Sequence, residues 1–393
     1  MDVLIERCAG IDIGKDEVVA CVRTPAPSGR GRQKRTRTFS SFTGSYWKPV
    51  WYVLEERAFE LKLVNAQHVK ILPGRKSDVL DAEWLAELLE HGLLRGSFVP
   101  PPAVRELRDL TRYRKRLIQA HTSECQRIQK ALEDAGIKLD SVVSDILGVS
   151  ARQMLEALIA GVRDVAALAE LARTRMRPKI PQLRQALEGR FGAHHALMLR
   201  MHLEHVDQLS VSIDRLDSEV DRVIRPFSNA LQRLITIPGV GRRTAEVIIA
   251  ETGADMRRFR TAGHLASWAG MCPGNHESGG KRRSGRARKG NAALRAALCE
   301  AAWAASHARS GYLPAQYRHL LRTFGKKGQT RAVFAVGHSI LVIAWHLMAH
   351  DRDYADLGGD HFTRATDAEA RERYLVRQLE ALGHKVSLEP AAA

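Results

Sequence analysis

The chain uses little cysteine and never in a metal-binding arrangement. Cys8, Cys21, Cys125, Cys272 and Cys299 are scattered over 393 residues without a Cys-x-x-Cys pair. A thiolate zinc site is thereby excluded, and the pattern fits a reducing cytoplasm. No His-Glu-x-x-His occurs among the 16 histidines, which removes the metalloprotease pattern. His194, His195, His202 and His205 fall on one charged helical stretch and read as a solvated face. No long uncharged apolar run and no basic amphipathic anchor stands out, so no membrane partner is expected. Residues 1–6 include Asp2 and Glu6 where a signal peptide needs an apolar stretch, which again points to the cytoplasm. No internal repeat is visible. Acidic residues are in short supply: 44 Asp and Glu face 61 Lys and Arg, leaving a net charge of +17 and an isoelectric point near 10.0. Such an imbalance suits a polyanionic partner, and nucleic acid is the usual one.

What is present is an ordinary folded composition, 45% hydrophobic and 27% charged, long enough for two or three cores. The pattern predicts an α/β start: strands over 3–13 and 18–22 around Gly14-Lys15-Asp16, then a loop through Pro25, Pro27, Gly29 and Gly31, then a strand over 36–42. A helix over 47–60, a short strand over 61–64 and a helix over 76–91 follow. Pro100-Pro101-Pro102 breaks the chain and closes a first domain, 1–100. A helical linker region, 101–228, holds a long helix over 104–135, a small Ala/Leu-rich cluster over 142–177 and a later heptad series. In that series Leu199, His202, Val206, Leu209, Ile213, Leu216, Val220 and Val223 alternate steps of three and four. A coiled-coil or hairpin spacer and a plain packed bundle helix both fit it. A mostly helical third domain, 229–350, and a helix with a tail, 351–393, complete the chain.

Residues 275–291, Asn-His-Glu-Ser-Gly-Gly-Lys-Arg-Arg-Ser-Gly-Arg-Ala-Arg-Lys-Gly-Asn, concentrate six cations and four glycines. Glycine admits a phosphate close to the backbone, and Lys281, Arg282, Arg283, Arg286, Arg288 and Lys289 neutralise it. Ser278 at the edge of this run has the setting of a nucleophile whose developing charge arginines would stabilise. Ser284 is its rival, and a solvated turn serine is the plain alternative. Ile237-Pro238-Gly239-Val240-Gly241 between two helices has the form of a helix-hairpin-helix. There Gly239, Gly241, Arg242 and Arg243 would grip a phosphate without reading bases, unless the segment is an ordinary helix–helix turn. Asp12 ends the first strand, while Asp78 and Asp81 stand three apart at a helix start. Three such carboxylates suit Mg²⁺, although acids at helix starts also serve as caps.

Together these segments resemble the insertion sequence 110 family of DEDD transposases, the bridge-RNA-guided recombinases. The resemblance is carried by Gly10-Ile11-Asp12-Ile13-Gly14-Lys15, Tyr46-Trp47-Lys48-Pro49-Val50, Val64-Asn65-Ala66-Gln67-His68-Val69-Lys70 and Pro73-Gly74-Arg75-Lys76-Ser77-Asp78-Val79-Leu80-Asp81-Ala82. Ile237-Pro238-Gly239-Val240-Gly241, Ser267-Trp268-Ala269-Gly270-Met271-Cys272-Pro273-Gly274 and the Ser278 loop extend it over nearly the whole chain. It implies a RuvC-type, ribonuclease-H-like domain at 1–100, a helical coil and a domain bearing a catalytic serine. Asp12, Asp78 and Asp81 take the places of the first, third and fourth metal-binding acids, with two Mg²⁺ expected, and Ser278 takes the place of the serine. The resemblance further implies DNA as substrate, a structured guide RNA, a homo-oligomer (dimer or tetramer) and a prokaryotic cytoplasm with nucleoid association.

One departure stands out. The family segment before Tyr-Trp reads like Met-Glu-Ser-Thr-Gly, whereas here it reads Ser40-Ser41-Phe42-Thr43-Gly44, with Ser41 where the second acid belongs. A parallel strand after a meander needs a crossover of roughly a dozen residues. No room for one exists between Phe39 and Tyr46. An incomplete RuvC-like domain lacking one helix and the acid-bearing strand near 40–45 is therefore expected. So are impaired chemistry and weakened Mg²⁺ binding. A nucleic-acid-binding remnant and a metal-dependent nuclease are the competing readings.

Overall fold

The computed structural model describes residues 2–14, 17–28, 30–40, 47–65, 69, 78–274, 276–279, 281–285, 287, 289–364 and 368–388; at 40, 78–79, 276–278, 281–284, 326, 363–364 and 368–371 only the backbone is described. The chain divides into two units, Met1–Val99 and Pro100–Ala393. The first joins a small sheet to helices and the second is almost wholly helical, an α/β plus α arrangement.

In the first unit β1 (Cys8–Ile13), β2 (Glu17–Pro25) and β3 (Arg32–Ser40) form an antiparallel meander. The Gly14 amide donates to the Glu17 carbonyl at 2.9 Å and closes the first turn. The third strand starts earlier than its sequence pattern suggests, because β2 runs on to Pro25 and Pro25 pairs with Arg32. The first strand starts later, at Cys8 rather than at residue 3, because Leu4 and Ile5 instead donate to the Glu90 carbonyl. α1 (Trp47–Glu55) is shorter than expected. No strand occupies 61–64: its backbone makes a single bond there, Ser97 to the Leu63 carbonyl at 2.5 Å, and one bond is no ladder.

α2 (Asp78–Glu90) lies across the sheet and buries Ala82 and Ala86 against Val19 and Cys21. Gly10 permits the contact, since a Cβ there would stand 2.2 Å from the Ala82 carbonyl oxygen. Among the described residues no fourth strand joins this sheet.

The second unit begins with α3 (Pro102–Asp134). α4 (Val149–Ile159), α5 (Val165–Glu170) and α6 (Ile180–Leu187) form a cap with its own apolar core around Leu155, Leu168 and Leu183. α7 (Ala193–Val223) then returns antiparallel along α3. The pairs Glu106–Arg222, Arg114–Asp217, Glu124–His202 and Asp134–His195 mark successive rungs. Leu199, Val206, Leu209, Val220 and Val223 of the heptad series are buried in the contact.

The solvated-face expectation for the histidines is corrected here. His202 and His205 hold the buried Glu124 carboxylate at 2.8 and 3.2 Å. His195 is buried too, with Nδ1 accepting from the Gly192 amide and Nε2 facing Asp134, and only His194 and His205 are exposed. A heptad position leaves room for a polar residue when the facing helix supplies its partner.

Beyond α7 come α8 (Ser228–Ile235), α9 (Arg242–Thr252), α10 (Ala262–Ala269), a hairpin of β4 (His276–Ser278) and β5 (Lys281–Ser284), α11 (Ala292–Ser306), α12 (Tyr312–Phe324) and α13 (Gln329–His350). α14 (His361–Arg364) and α15 (Ala368–Ala381) end the described chain. α13 corrects a further expectation: it is long and apolar enough to cross a membrane. Its Val336, Ile340, Leu341 and Ala344 are instead buried against α10, α11 and α12, as in the central helix of a bundle.

Candidate catalytic and nucleic-acid sites

β1 and α2 carry the three predicted acids, Asp12 on the strand and Asp78 and Asp81 on the helix. Alternate residues of a strand share a face, so Cys8, Gly10 and Asp12 point the same way. The Cys8 thiol donates to the Ala86 carbonyl at 3.4 Å, and Gly10 touches Ala82. From Cys8 to Gly10 the strand thus advances toward the start of α2. Asp12 is half-buried and Asp81 exposed. Carboxylates are the oxygen donors that a hard divalent ion takes; the Asp78 side chain lies outside the described residues. The position expected for a second acid, Ser41, lies outside the described residues.

The glycine–arginine run folds back on itself. Ser278 pairs with Lys281 across a two-residue connection, and His276 pairs with Ser284 at the base. Gly279 has φ +59 and open space around it, as a hairpin tip requires. The two candidate serines are thus separated: Ser278 flanks the tip and Ser284 the base. Lys289 is exposed, while Arg286 and Arg288 lie outside the described residues.

Below the hairpin, the two feet of the loop touch. A Cβ on Gly290 would stand 2.3 Å from the Ala269 carbonyl oxygen, so only glycine fits. The entering foot is fixed at Met271, which is buried and whose carbonyl accepts from His338 Nδ1 at 3.0 Å. The leaving foot is fixed at Asn291, whose Oδ1 caps α11 through the Leu294 amide at 3.1 Å and whose Nδ2 donates to Glu251 Oε2 at 2.6 Å.

Glu251 is fully buried. Arg112 binds it with both arms, at 2.7 and 2.8 Å, and Arg108 Nε lies 3.2 Å away while donating to the Ala250 and Glu251 carbonyls. Hydrogen bonding to Glu251 raises the Arg112 pKa, whereas burial lowers that of Arg108. Sequence reasoning missed Glu251 and Asn291. The available signal was a carboxylate at the end of the apolar run Val247-Ile248-Ile249-Ala250.

The turn at 237–241 joins α8 to α9. Gly239 has φ +84, and a Cβ there would meet the Ala301 carbonyl oxygen at 2.3 Å, so this glycine serves contact with α11. Gly241, at the start of α9, faces open space. Arg242 binds Asp221 at 2.7 Å and Glu246 at 3.0 Å; Arg243 binds Asp217 at 2.7 Å and Glu246 at 3.1 Å. Both guanidiniums thus tie α9 to α7, a use that the sequence motif does not reveal.

Two separate stretches match known families. Residues 231–318, which contain the turn, the stem and the hairpin, match the family described as "Transposase IS116/IS110/IS902 family". Residues 28–137 match the DEDD transposase family of the IS110 type. The chain belongs to the IS110/IS116/IS902 transposases. A Pseudomonas aeruginosa protein named "Probable family 20 transposase" is 26% identical over 303 residues, 77% of this chain and 80% of its own length. The "Transposase for insertion sequence element IS1111A" of Coxiella burnetii is 25% identical over 297 residues, 75% and 72% of the two chains. The "Pilin gene-inverting protein" of Moraxella bovis is 28% identical over 158 residues, 38% and 48%.

Transposases of this family act on DNA by cleaving and rejoining it, and a DEDD family suggests divalent metal use. A different group, Asp134, His194 and His195, also lies close enough for an ion. Its His195 already spends one ring nitrogen on the Gly192 amide and the other on Asp134, which suits a cap of α7 better than a ligand.

Proposed function

We propose that this transposase cuts and exchanges DNA strands through Ser278, with Asp12, Asp78 and Asp81 holding Mg²⁺. The observation that carries the reading is the placement of Ser278 at the tip of a cationic hairpin, opposite Lys281, on a stem clamped at both feet. The Ser278 Oγ–phosphorus bond would form as one phosphodiester oxygen leaves, and the serine proton ends on that leaving hydroxyl. Asp12, Asp78 and Asp81 would hold Mg²⁺, which would supply charge stabilisation for phosphoryl transfer. The donor chemistry fits it, since all three are carboxylates. Lys281, Arg282, Arg283, Arg286, Arg288 and Lys289 neutralise the phosphates beside the serine. The amides and glycines around Gly241 add a sequence-blind contact. A structured RNA supplies target choice by base pairing, and the protein works as a homo-oligomer on the bacterial nucleoid.

Catalysis by this chain is impaired on the same reading. Ser41 stands where the second acid belongs, and the span between Phe39 and Tyr46 is too short for a crossover, which supports an internal deletion of one helix and one strand. The test is an incubation of wild type and Ser278→Ala with element-end DNA, the flanking RNA and Mg²⁺, followed by denaturing electrophoresis. A slowly formed covalent protein–DNA adduct, lost in Ser278→Ala, is expected. Cutting that survives Ser278→Ala supports a water-using nuclease instead, and binding without any cutting supports a remnant. Efficient recombination would overturn the impairment.

A further inference from the structure

We propose that the Glu251–Asn291 hydrogen bond positions the Ser278 hairpin, making Glu251 and Asn291 positioning residues for the nucleophile; this rests on the Ser278 reading above. A loop of some fifteen residues carrying a nucleophile must be held within a fraction of an ångström at its base, or the reacting oxygen wanders. Its first foot is held by packing and by His338 on the Met271 carbonyl. The second foot has no buried apolar side chain of its own, since Lys289 and Gly290 are exposed. Beyond the Gly290 contact with the Ala269 backbone, its lateral anchor is the side-chain hydrogen bond from the Asn291 amide to Glu251, at 2.6 Å.

Glu251 is suited to that task because it cannot move. Its carboxylate is fully buried, both oxygens are bound by Arg112, and Arg108 lies against it. Burying a carboxylate is costly and is offset only by complete pairing. Two arginines one turn apart on α3 achieve the pairing and still leave Oε2 able to accept from Asn291. The site therefore links three elements that are distant in sequence: α3, the end of α9 and the end of the cationic loop. A purely stabilising ion pair would be complete with the arginines alone, and the Asn291 bond is the part that stability does not require.

The informative variant is Asn291→Ser. Serine caps a helix about as well as asparagine, so α11 keeps its first turn, and Glu251 keeps both arginines. The shorter side chain loses only the reach to Oε2. The expected result is adduct formation slowed about tenfold or more, with DNA affinity unchanged and a melting temperature within about 2 °C of wild type. Faster hydrogen exchange at the amides of 276–284 is expected alongside. An unchanged adduct rate overturns the proposal, as does a rate that falls only together with the melting temperature. Ser278→Ala run in parallel separates the two ideas. If adduct survives that change, the nucleophile is misassigned; if it is lost while Asn291→Ser matches wild type, the nucleophile stands and the anchor does not.

Discussion

Each unit buries one glutamate in the last turn of a helix, where the dipole disfavours negative charge, and answers it with two arginines. In the second unit Glu251 is met by both arms of Arg112, by Arg108 and by Asn291. In the first unit Glu90 is bound by Arg23, but Arg32 Nε lies 2.5 Å from Oε1 without the alignment of a hydrogen bond. Proximity is equal in the two cases and satisfaction is not. The difference lies in the two sites: the Glu251 network is closed, whereas at Glu90 the Arg32 donors and Oε1 are left unmatched.

The comparison is tested most severely by removing each carboxylate. Glu251→Leu strands two guanidiniums and should cost about 3 kcal/mol in urea unfolding, with Arg112 half in water keeping the loss at the low end of the range. Glu90→Leu should cost about 1 kcal/mol, and equal losses would break the contrast. A finer probe exchanges arginine for lysine. Arg112→Lys forfeits a two-armed grip and should cost about 1 kcal/mol. Arg32→Lys forfeits no aligned bond and should change the melting curve by less than about 0.5 kcal/mol.

The smallest effect concerns a third buried carboxylate, Glu124. Burial pushes its carboxyl up, but the His202 hydrogen bond, Arg127 and His205 together bring it below the ordinary range. A group depressed in the folded state stabilises above its unfolded pKa and loses that contribution as pH falls through the folded value. The α3–α7 pair should therefore soften on acidification below the ordinary carboxylate range. Glu124→Gln should flatten melting temperature against pH there.

The meander and the long helices were readable from the chain because their causes are local: alternation and the three- and four-residue spacing of apolar side chains. The strand expected at 61–64 failed for want of a partner, which no local pattern supplies. The histidines of α7 misled for the same reason, since Glu124 lies some eighty residues away. Asp12, Asp78, Asp81 and Ser278 could be named from motifs, since each sits in a short run of sequence that carries the family resemblance. Arg242 and Arg243 kept their sequence promise as cations but are paired with Asp217, Asp221 and Glu246, partners visible only after folding. Glu251 carried only the signal of a carboxylate ending an apolar run, because its partners Arg108, Arg112 and Asn291 arrive from two other segments.

The touching feet at Ala269 and Gly290 make the stretch between them a cassette. Since entrance and exit coincide, its length and contents can change without shifting α10 or α11. Hairpins borrowed from relatives should therefore graft onto this scaffold, and the chemistry of such enzymes can diverge while their helical body stays the same.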